Sequence, residues 1–114
     1  MEKCIFDQIV EGKIPSKKVW ESDSVLAFWD ISPVAPIHVL IIPKKHLQDL
    51  NSVTQNDKEI LGDLMLAVPE VAKKLGVKDS GYRIIINNGE HAGQLVPHIH
   101  IHLLAGKNLG PKII

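Results

Sequence analysis

The stretch Pro97-His98-Ile99-His100-Ile101-His102-Leu103-Leu104 alternates histidine with aliphatic residues. In a β-strand, alternate side chains point to the same face of the sheet. The stretch therefore predicts a strand over His98–Leu104, with an apolar face toward a core and a histidine face toward a polar space. Each neutral imidazole has a donor and an acceptor to satisfy, so three of them do not fit a dry core without partners.

The chemistry of this histidine face has four interpretations. It is a solvated strand face, a zinc site, a run with incidental affinity for metals, or a nucleophilic site in which one imidazole attacks and its neighbours fix its tautomer. Lysine, threonine or glutamate would serve a solvated face equally well. A zinc site would leave one aligned histidine over, and the alternating isoleucines argue against incidental affinity. Taken alone, these residues leave the choice open.

Length, charge and cysteine content bound the class of protein. The chain has 114 residues, which predicts one domain over residues 1–114. Basic and acidic residues number 13 each, so the formal net charge is zero and the basic excess typical of nucleic-acid binding is missing. The single cysteine permits no intrachain disulfide. The apolar runs fall short of the ~20 residues that span a bilayer. We therefore expect a cytoplasmic protein with no nucleic-acid or membrane partner.

Patterns on either side of the histidine stretch predict the remaining elements. Pro69 lies inside a long helical pattern and predicts a kink or a break there. The order of strands and helices does not alternate regularly, which predicts an α+β fold with a five-stranded antiparallel sheet and two helices. The predicted elements are a helix over Cys4–Val10, a hairpin of Val19–Glu21 and Val25–Trp29, a central strand over His38–Ile42, a helix from about Asn56 to Leu75, and a strand over Tyr82–Asn87.

Several blocks, in order along the chain, carry a further pattern. Besides the triad of histidines they are Ile5-Phe6, Ile14-Pro15, Asp30–His38, Ile42–His46, Asn87-x-Gly89 and Gly93-Gln94. Together they resemble the histidine-triad (HIT) nucleotide-binding family, and in particular its Hint branch. The resemblance covers almost the whole chain. It implies a HIT-like fold whose five-stranded sheet pairs with that of a second copy into a ten-stranded sheet, so we expect a homodimer.

The resemblance also implies a hydrolase acting on purine nucleoside 5′-phosphoramidates. His100, the central histidine, would attack the α-phosphorus, form a covalent nucleotidyl-histidine and release an amine, and water would then free the nucleoside monophosphate. Imidazole attacks only while neutral, so its other nitrogen must donate to a fixed acceptor, which we expect to be the backbone carbonyl of His98. His98, His102 and His38 complete the expected catalytic set, and His38 helps to protonate the leaving amine.

The nucleotide-binding residues follow from the same resemblance. Asp30 is similar to the carboxylate that accepts both ribose hydroxyls. Asn87 offers a side-chain amide, and the loop Gly93-Gln94-Leu95 offers backbone N–H groups to the phosphoryl oxygens. Without the resemblance, Asp30 reads as a loop or helix-cap residue and Gly93 as a turn residue. The expected apolar slot for a purine base consists of Ile5, Phe6 and Ile31.

Two positions depart from the pattern of the Hint branch. Leu95 stands where a serine near the leaving group is common, so a hydroxyl contact to the amine is lost. The end of the chain, Gly110–Ile114, lacks the aromatic residue that some relatives place beside the amine. Both departures concern the leaving group, and they bear on substrate preference and rate.

A zinc site is the remaining open question. Some relatives carry Cys-x-x-Cys near the start, which holds structural zinc together with two histidines. The corresponding residues here are Cys4, Asp7, His46 and His98, and the carboxylate weakens that signature. We therefore assign no metal and no cofactor, and we expect His91 to be a solvent-facing loop residue. The alternatives to an enzyme are a purine nucleotide-binding regulatory module with little turnover and a zinc-binding protein.

Overall fold

The computed structural model describes residues 3–114 and contains two α-helices and five strands. Short 3-10 turns connect some of them, and Thr54 caps the turn that leads into the long helix. The elements are α1 (Ile5–Val10), β1 (Lys18–Glu21), β2 (Val25–Trp29), β3 (Ile37–Pro43), α2 (Lys58–Lys74), β4 (Arg83–Ile85) and β5 (Ile101–Ala105).

The strands form one antiparallel sheet in the order β1-β2-β3-β5-β4. This confirms the predicted α+β class, the five-stranded antiparallel sheet and the central position of β3. In the pairing of β3 with β5, Leu40 lies opposite His102 and His38 lies opposite Leu104. The register therefore places His38 and His102 near each other on adjacent central strands.

The sheet is packed on both of its faces, because the apolar residues of its central strands alternate between two clusters. One face carries Val39 and Ile41 against the buried stripe of α2. The other face carries Leu40 and Ile42 against the short helix α1. The buried residues of α2 are Leu64, Ala67, Val68, Val71 and Ala72.

Some predicted boundaries were wrong. The last strand begins at Ile101 and not at His98, because the preceding residues bond to other segments: the N–H of Ile99 donates to the carbonyl of Leu47. The strand predicted over residues 82–87 is confined to β4. The long helix begins about two residues later than predicted, because the chain forms a 3-10 turn there, and it runs on through Pro69 without a break.

Within residues 3–114, no helix combines the length and the apolar character needed to cross a membrane.

Candidate active site

The three histidines share one face as predicted, although His98 and His100 precede β5. Ile99, Ile101 and Leu103 are buried in the cluster that packs on α2. His98, His100 and His102 alternate with them and lie on the opposite side, where α1 covers the first two. The extended backbone therefore gives the predicted alternation over residues 98–102 without a ladder of strand hydrogen bonds at its start.

His98 is fully buried and its two ring nitrogens have different surroundings. Nε2 donates to the backbone carbonyl of Pro43 at 2.7 Å. Nδ1 is therefore the unprotonated nitrogen, and it faces the Sγ atom of Cys4 at 3.3 Å. Burial lowers the pKa of His98, so the ring is neutral near pH 7.

His100 has the orientation that a nucleophile needs. Its Nδ1–H donates to the backbone carbonyl of His98 at 2.8 Å, which is the acceptor predicted from the sequence. The other nitrogen, Nε2, keeps its lone pair, and His100 lines the cavity described below. The ring of Phe6 packs edge-on against the imidazole with centroids 5.2 Å apart, and so limits its rotation.

His102 and His38 form a hydrogen-bonded pair across the two central strands. The N–H of Val34 donates to Nδ1 of His38 at 3.1 Å, so the proton of neutral His38 lies on Nε2. That nitrogen lies 2.9 Å from Nδ1 of His102, which must accept. The proton of His102 therefore lies on Nε2. Burial lowers the pKa of His102, and the facing rings of His100 and His38 lower it further, which keeps the ring neutral.

Asp30 joins this pair at the end of β2. Its Oδ1 accepts the backbone N–H of Ser32 at 2.8 Å, and its Oδ2 lies 3.3 Å from Nε2 of His38. The carboxylate thus contacts the imidazole network and also lines the cavity. The sequence analysis predicted that Asp30 lines the nucleotide site, but it did not predict the contact of Asp30 with His38.

A cavity of about 1260 Å³ opens beside these groups and brings most of the predicted residues together. Ile31 and Leu95 form an apolar rim, with 96% and 92% of their surfaces exposed. The volume is ample for a nucleotide. The predicted residues that line it are Ile5, Phe6, Asp30, Ile31, Asn87, Gly93, Leu95, His100 and His102.

Three predicted residues do not line this cavity: His98, His38 and Gln94. His98 and His38 lie behind the cavity wall, and they position His100 and His102 through hydrogen bonds. The side chain of Gln94 braces its own loop, because its amide accepts from the N–H of Gly89 and donates to the carbonyls of Gln48 and Val96. An amide with these bonds holds the loop in place and has little capacity left for a ligand.

The loop before the triad offers fewer free donors than the sequence implied. The N–H of Gly93 donates to the carbonyl of Glu90, and that of Gln94 donates to the carbonyl of Gly89. Within residues 3–114, the N–H of Leu95 has no such acceptor, so it is the donor available to a phosphoryl oxygen. Gly93 has a φ of 75°, in the left-handed region, which explains the glycine by backbone conformation.

The cavity also has walls that the sequence did not single out. Ser16 and Lys17, which follow α1, and Trp29 at the end of β2 all line it. A cation beside an anionic ligand is an ordinary feature of nucleotide sites. No spacing rule connects residues 16 and 17 to the triad, since only the folded sheet brings them together. His91 is exposed, as expected.

Four potential metal ligands meet on the other side of His98. The Sγ of Cys4 lies 3.3 Å from Nδ1 of His98 and 3.6 Å from Nδ1 of His46. The carboxylate of Asp7 lies 2.9 Å from His46 and 3.4 Å from His98. Donors that share one tetrahedral zinc ion are roughly 3.3–3.6 Å apart, given Zn–S and Zn–N bonds of about 2.3 and 2.0 Å. The donor set fits zinc and three of the four distances lie in this range, whereas the shorter distance between Asp7 and His46 is that of an ion pair.

Comparisons with known proteins agree with this geometry. The family model of the HIT domain matches residues 11–109. The purine nucleoside phosphoramidase of Escherichia coli is 43% identical over 112 residues, which cover 98% of this chain and 94% of that protein. A HIT family hydrolase from Clostridium thermocellum has a TM-score of 0.95 at 44% identity, covering 100% of this chain and 99% of that one. A histidine triad protein from Clostridium difficile has a TM-score of 0.92 at 44% identity, covering 98% and 99%.

Proposed function

Because the chain belongs to the HIT domain family, we propose that it is a hydrolase that cleaves the P–N bond of purine nucleoside 5′-phosphoramidates through a covalent nucleotidyl-histidine. One observation carries the proposal: the Nδ1–H of His100 is fixed on the carbonyl of His98 at 2.8 Å. In the neutral imidazole this bond places the free lone pair on Nε2, and the side chain belongs to the cavity wall.

In the first step, Nε2 of His100 attacks the α-phosphorus as the bond to the amine breaks. Negative charge on the phosphoryl oxygens needs donors, and two groups of the wall can supply them. They are the backbone N–H of Leu95 and the amide of Asn87. In the second step, water attacks the phosphorus, and His100 leaves with its lone pair restored.

The nucleoside occupies the rest of the cavity. Asp30 accepts the ribose hydroxyls with its carboxylate. The base enters the apolar part of the wall, where Phe6 also supports the imidazole of His100. Ile5 and Ile31 complete this slot, and because it is apolar it favours the broad faces of a purine without distinguishing adenosine from guanosine.

The test measures release of AMP from adenosine 5′-phosphoramidate. We expect turnover by the unmodified protein and a loss of about 10⁴-fold or more in His100→Ala, as for other nucleophiles that act in a unit. Rapid quench of the unmodified protein with radiolabelled substrate in alkaline detergent should trap label on the protein, because the P–N bond of a nucleotidyl-histidine is stable in base and labile in acid. AMP binding without turnover would instead support the alternative of a low-turnover nucleotide-binding module.

The proposed assembly is a homodimer, and the surface of the fold supports it. β4 is an edge strand, and on it Ile84 is partly exposed. Met65 and Leu66 of α2 are exposed as well, which is unusual for two adjacent large apolar residues of a helix. Sedimentation equilibrium should give twice the mass of the chain, 12.6 kDa. A cytoplasmic location stays a prediction from the sequence.

A second candidate function, zinc binding, is favoured by the lone pair of His98. Its Nε2 holds the proton, so the unprotonated Nδ1 faces the carboxylate of Asp7 at 3.4 Å, where two electron-rich atoms repel each other. A cation between them would remove that repulsion. Cys4, Asp7, His46 and His98 would hold the ion, and zinc would supply a structural cross-link between α1 and the segment that carries the nucleophile.

Without a metal, the same residues have ordinary roles. Cys4 and Asp7 form a capping box at the start of α1, and Asp7 pairs with His46. Although burial raises it, hydrogen bonds from Cys4 hold the pKa of Asp7 below its usual range. These contacts stabilise the helix by themselves.

Elemental analysis of protein purified without an affinity tag separates the two cases. Zinc at one ion per chain, lost in Cys4→Ser and in Asp7→Asn and kept in Asp23→Asn, supports the site. A melting temperature that falls on chelation and recovers with zinc supports it further. Protein with no bound metal and no response to added zinc leaves the capping box as the full explanation.

A further inference from the structure

The carboxylate of Asp30 has a contact that ribose binding does not require. The backbone ties this residue to His38 before any ligand arrives, since the N–H of Asp30 donates to the carbonyl of His38 at 3.0 Å. One carboxylate oxygen is taken by the N–H of Ser32, and this bond directs the other, Oδ2, to within 3.3 Å of Nε2 of His38. Both side chains are largely buried, so water screens their interaction weakly.

The proton on Nε2 of His38 therefore has two acceptors. Nδ1 of His102 lies at 2.9 Å and Oδ2 of Asp30 at 3.3 Å. The other nitrogen, Nδ1, cannot take the proton because the N–H of Val34 already donates to it. A small rotation of the His38 ring moves its one proton from His102 to Asp30 while the bond to Val34 is kept.

Departure of an amine requires that His38 donate its proton to Asp30 and not to His102. A leaving nitrogen must be protonated as its bond to phosphorus breaks, and a neutral imidazole is too weak an acid to do it. His102 lines the cavity and is the histidine placed to donate, so it must first take up a second proton from water, on Nδ1. The second proton, on Nδ1 of His102, would face the Nε2–H of His38 across 2.9 Å. The two N–H groups repel each other unless the His38 ring turns its proton toward Asp30.

We propose that Asp30 is a positioning residue for proton transfer: it accepts the Nε2–H of His38 and so lets His102 hold the second proton that the leaving amine receives. The role rests on the proposed phosphoramidase activity and adds to it. In the step, the bond from Nε2 of His100 to phosphorus forms as the P–N bond of the substrate breaks, and the Nε2–H proton of His102 passes to the departing nitrogen. His102 ends neutral and can take a proton from the water that attacks next.

The charges around His102 agree with this role. His100 and His38 face its ring, and a positive charge on it is opposed by burial. Asp30 is the facing group of opposite sign, and it raises the pKa of His102 against those effects. Lys17 is a cationic side chain that lines the same cavity.

The test compares Asp30→Asn on two substrates. One is adenosine 5′-phosphoramidate, whose nitrogen needs a proton; the other is the p-nitrophenyl ester of AMP, whose phenolate leaves without one. We expect kcat for the first substrate to fall by about 10²-fold, with the alkaline limb of the pH profile moved to lower pH. With the second substrate kcat should change little, and KM should rise for both because the ribose contact is weakened. Equal loss of kcat on both substrates, or an effect on KM alone, overturns the proposal.

A second measurement does not depend on turnover. Nuclear magnetic resonance of the histidine side chains of the unliganded protein should show His102 taking up its proton at lower pH in Asp30→Asn than in the unmodified protein. Asp23→Asn removes the same charge from an exposed turn and should leave that titration unchanged. If His102 titrates alike in all three proteins, Asp30 has no such role, whatever substrate the enzyme uses. If the shift is present but phosphoramidates are not cleaved, the failure lies with the proposed function.

Discussion

The backbone carbonyl of His98 accepts the Nδ1–H of His100 at 2.8 Å, so the attacking imidazole is oriented by the residue two positions before it. The two residues are only two positions apart in the sequence, so this bond does not depend on a distant side chain. The side chain of His98 is in turn held by the carbonyl of Pro43 at 2.7 Å. The tautomer of the nucleophile is therefore set by one backbone carbonyl, and the tautomer of His98, the residue that supplies this carbonyl, is set by a second.

The N–H of Val34 should contribute to catalysis although it is a backbone group. Val34→Pro removes the donor that keeps Nδ1 of His38 unprotonated, and the His38 ring can then adopt the wrong tautomer. We expect kcat for adenosine 5′-phosphoramidate to fall by about 5- to 100-fold, the equivalent of one lost buried hydrogen bond. Val34→Ala is the matched control and should keep nearly full activity, because the Val34 side chain is exposed. Similar losses in both variants would assign the effect to the side chain.

Leu95 should set the preference for the leaving amine. Its side chain is 92% exposed at the rim of the cavity and can be covered by an apolar substituent of the substrate. For a phosphoramidate of a bulky aromatic amine, we expect Leu95→Ser to lower kcat/KM by about 3- to 10-fold, from the apolar area no longer buried. The unsubstituted phosphoramidate should be little affected. Leu95→Met preserves the apolar contact and should behave like the unmodified protein on both substrates; a loss there would argue against the contact.

The free energy of unfolding should fall as the pH is lowered from about 7 to about 5. Burial lowers the pKa of His102, so the unfolded chain, whose imidazole keeps its ordinary pKa near 6.5, takes up the proton more readily than the folded one. The stabilisation is present above that pKa and is lost as the pH falls through the lower pKa of the folded state. Urea unfolding at a series of pH values should show a smaller slope in His102→Gln. His91→Gln, at an exposed position, should keep the slope of the unmodified protein.

Gly106 should tolerate no side chain. A Cβ there would lie 2.9 Å from Cβ of Pro36 and 3.3 Å from the backbone nitrogen of Ile37, at a φ of 92°. Gly110 has a similar φ of 78° but open space around it. We expect Gly110→Ala to cost about 1–2 kcal/mol from backbone conformation alone, and Gly106→Ala to cost clearly more. Equal melting temperatures of the two variants would show that the contact with Pro36 relaxes freely.

The alternation of histidine and isoleucine was sufficient to predict the most informative part of the site. It depends only on extended backbone, so it held even where no strand forms, at His98 and His100. The bond from His100 to the carbonyl of His98 was predictable for the same reason, because both residues belong to one local segment.

Contacts between distant segments were not predictable in this way. The second contact of Asp30, to His38, depends on how the loop after β2 folds back on β3. The N–H groups of Gly93 and Gln94 were expected to face a phosphate, and they are used inside a 3-10 turn that no composition rule fixes. Lys17 joined the cavity only through the packing of the sheet.

The six residues of α1 and the residue that caps it contact three different parts of the site. Phe6 packs on His100, Ile5 lines the cavity, and the residue that caps the helix faces His98. A displacement of this one short helix would therefore disturb the nucleophile, the cavity wall and the candidate zinc ligands together.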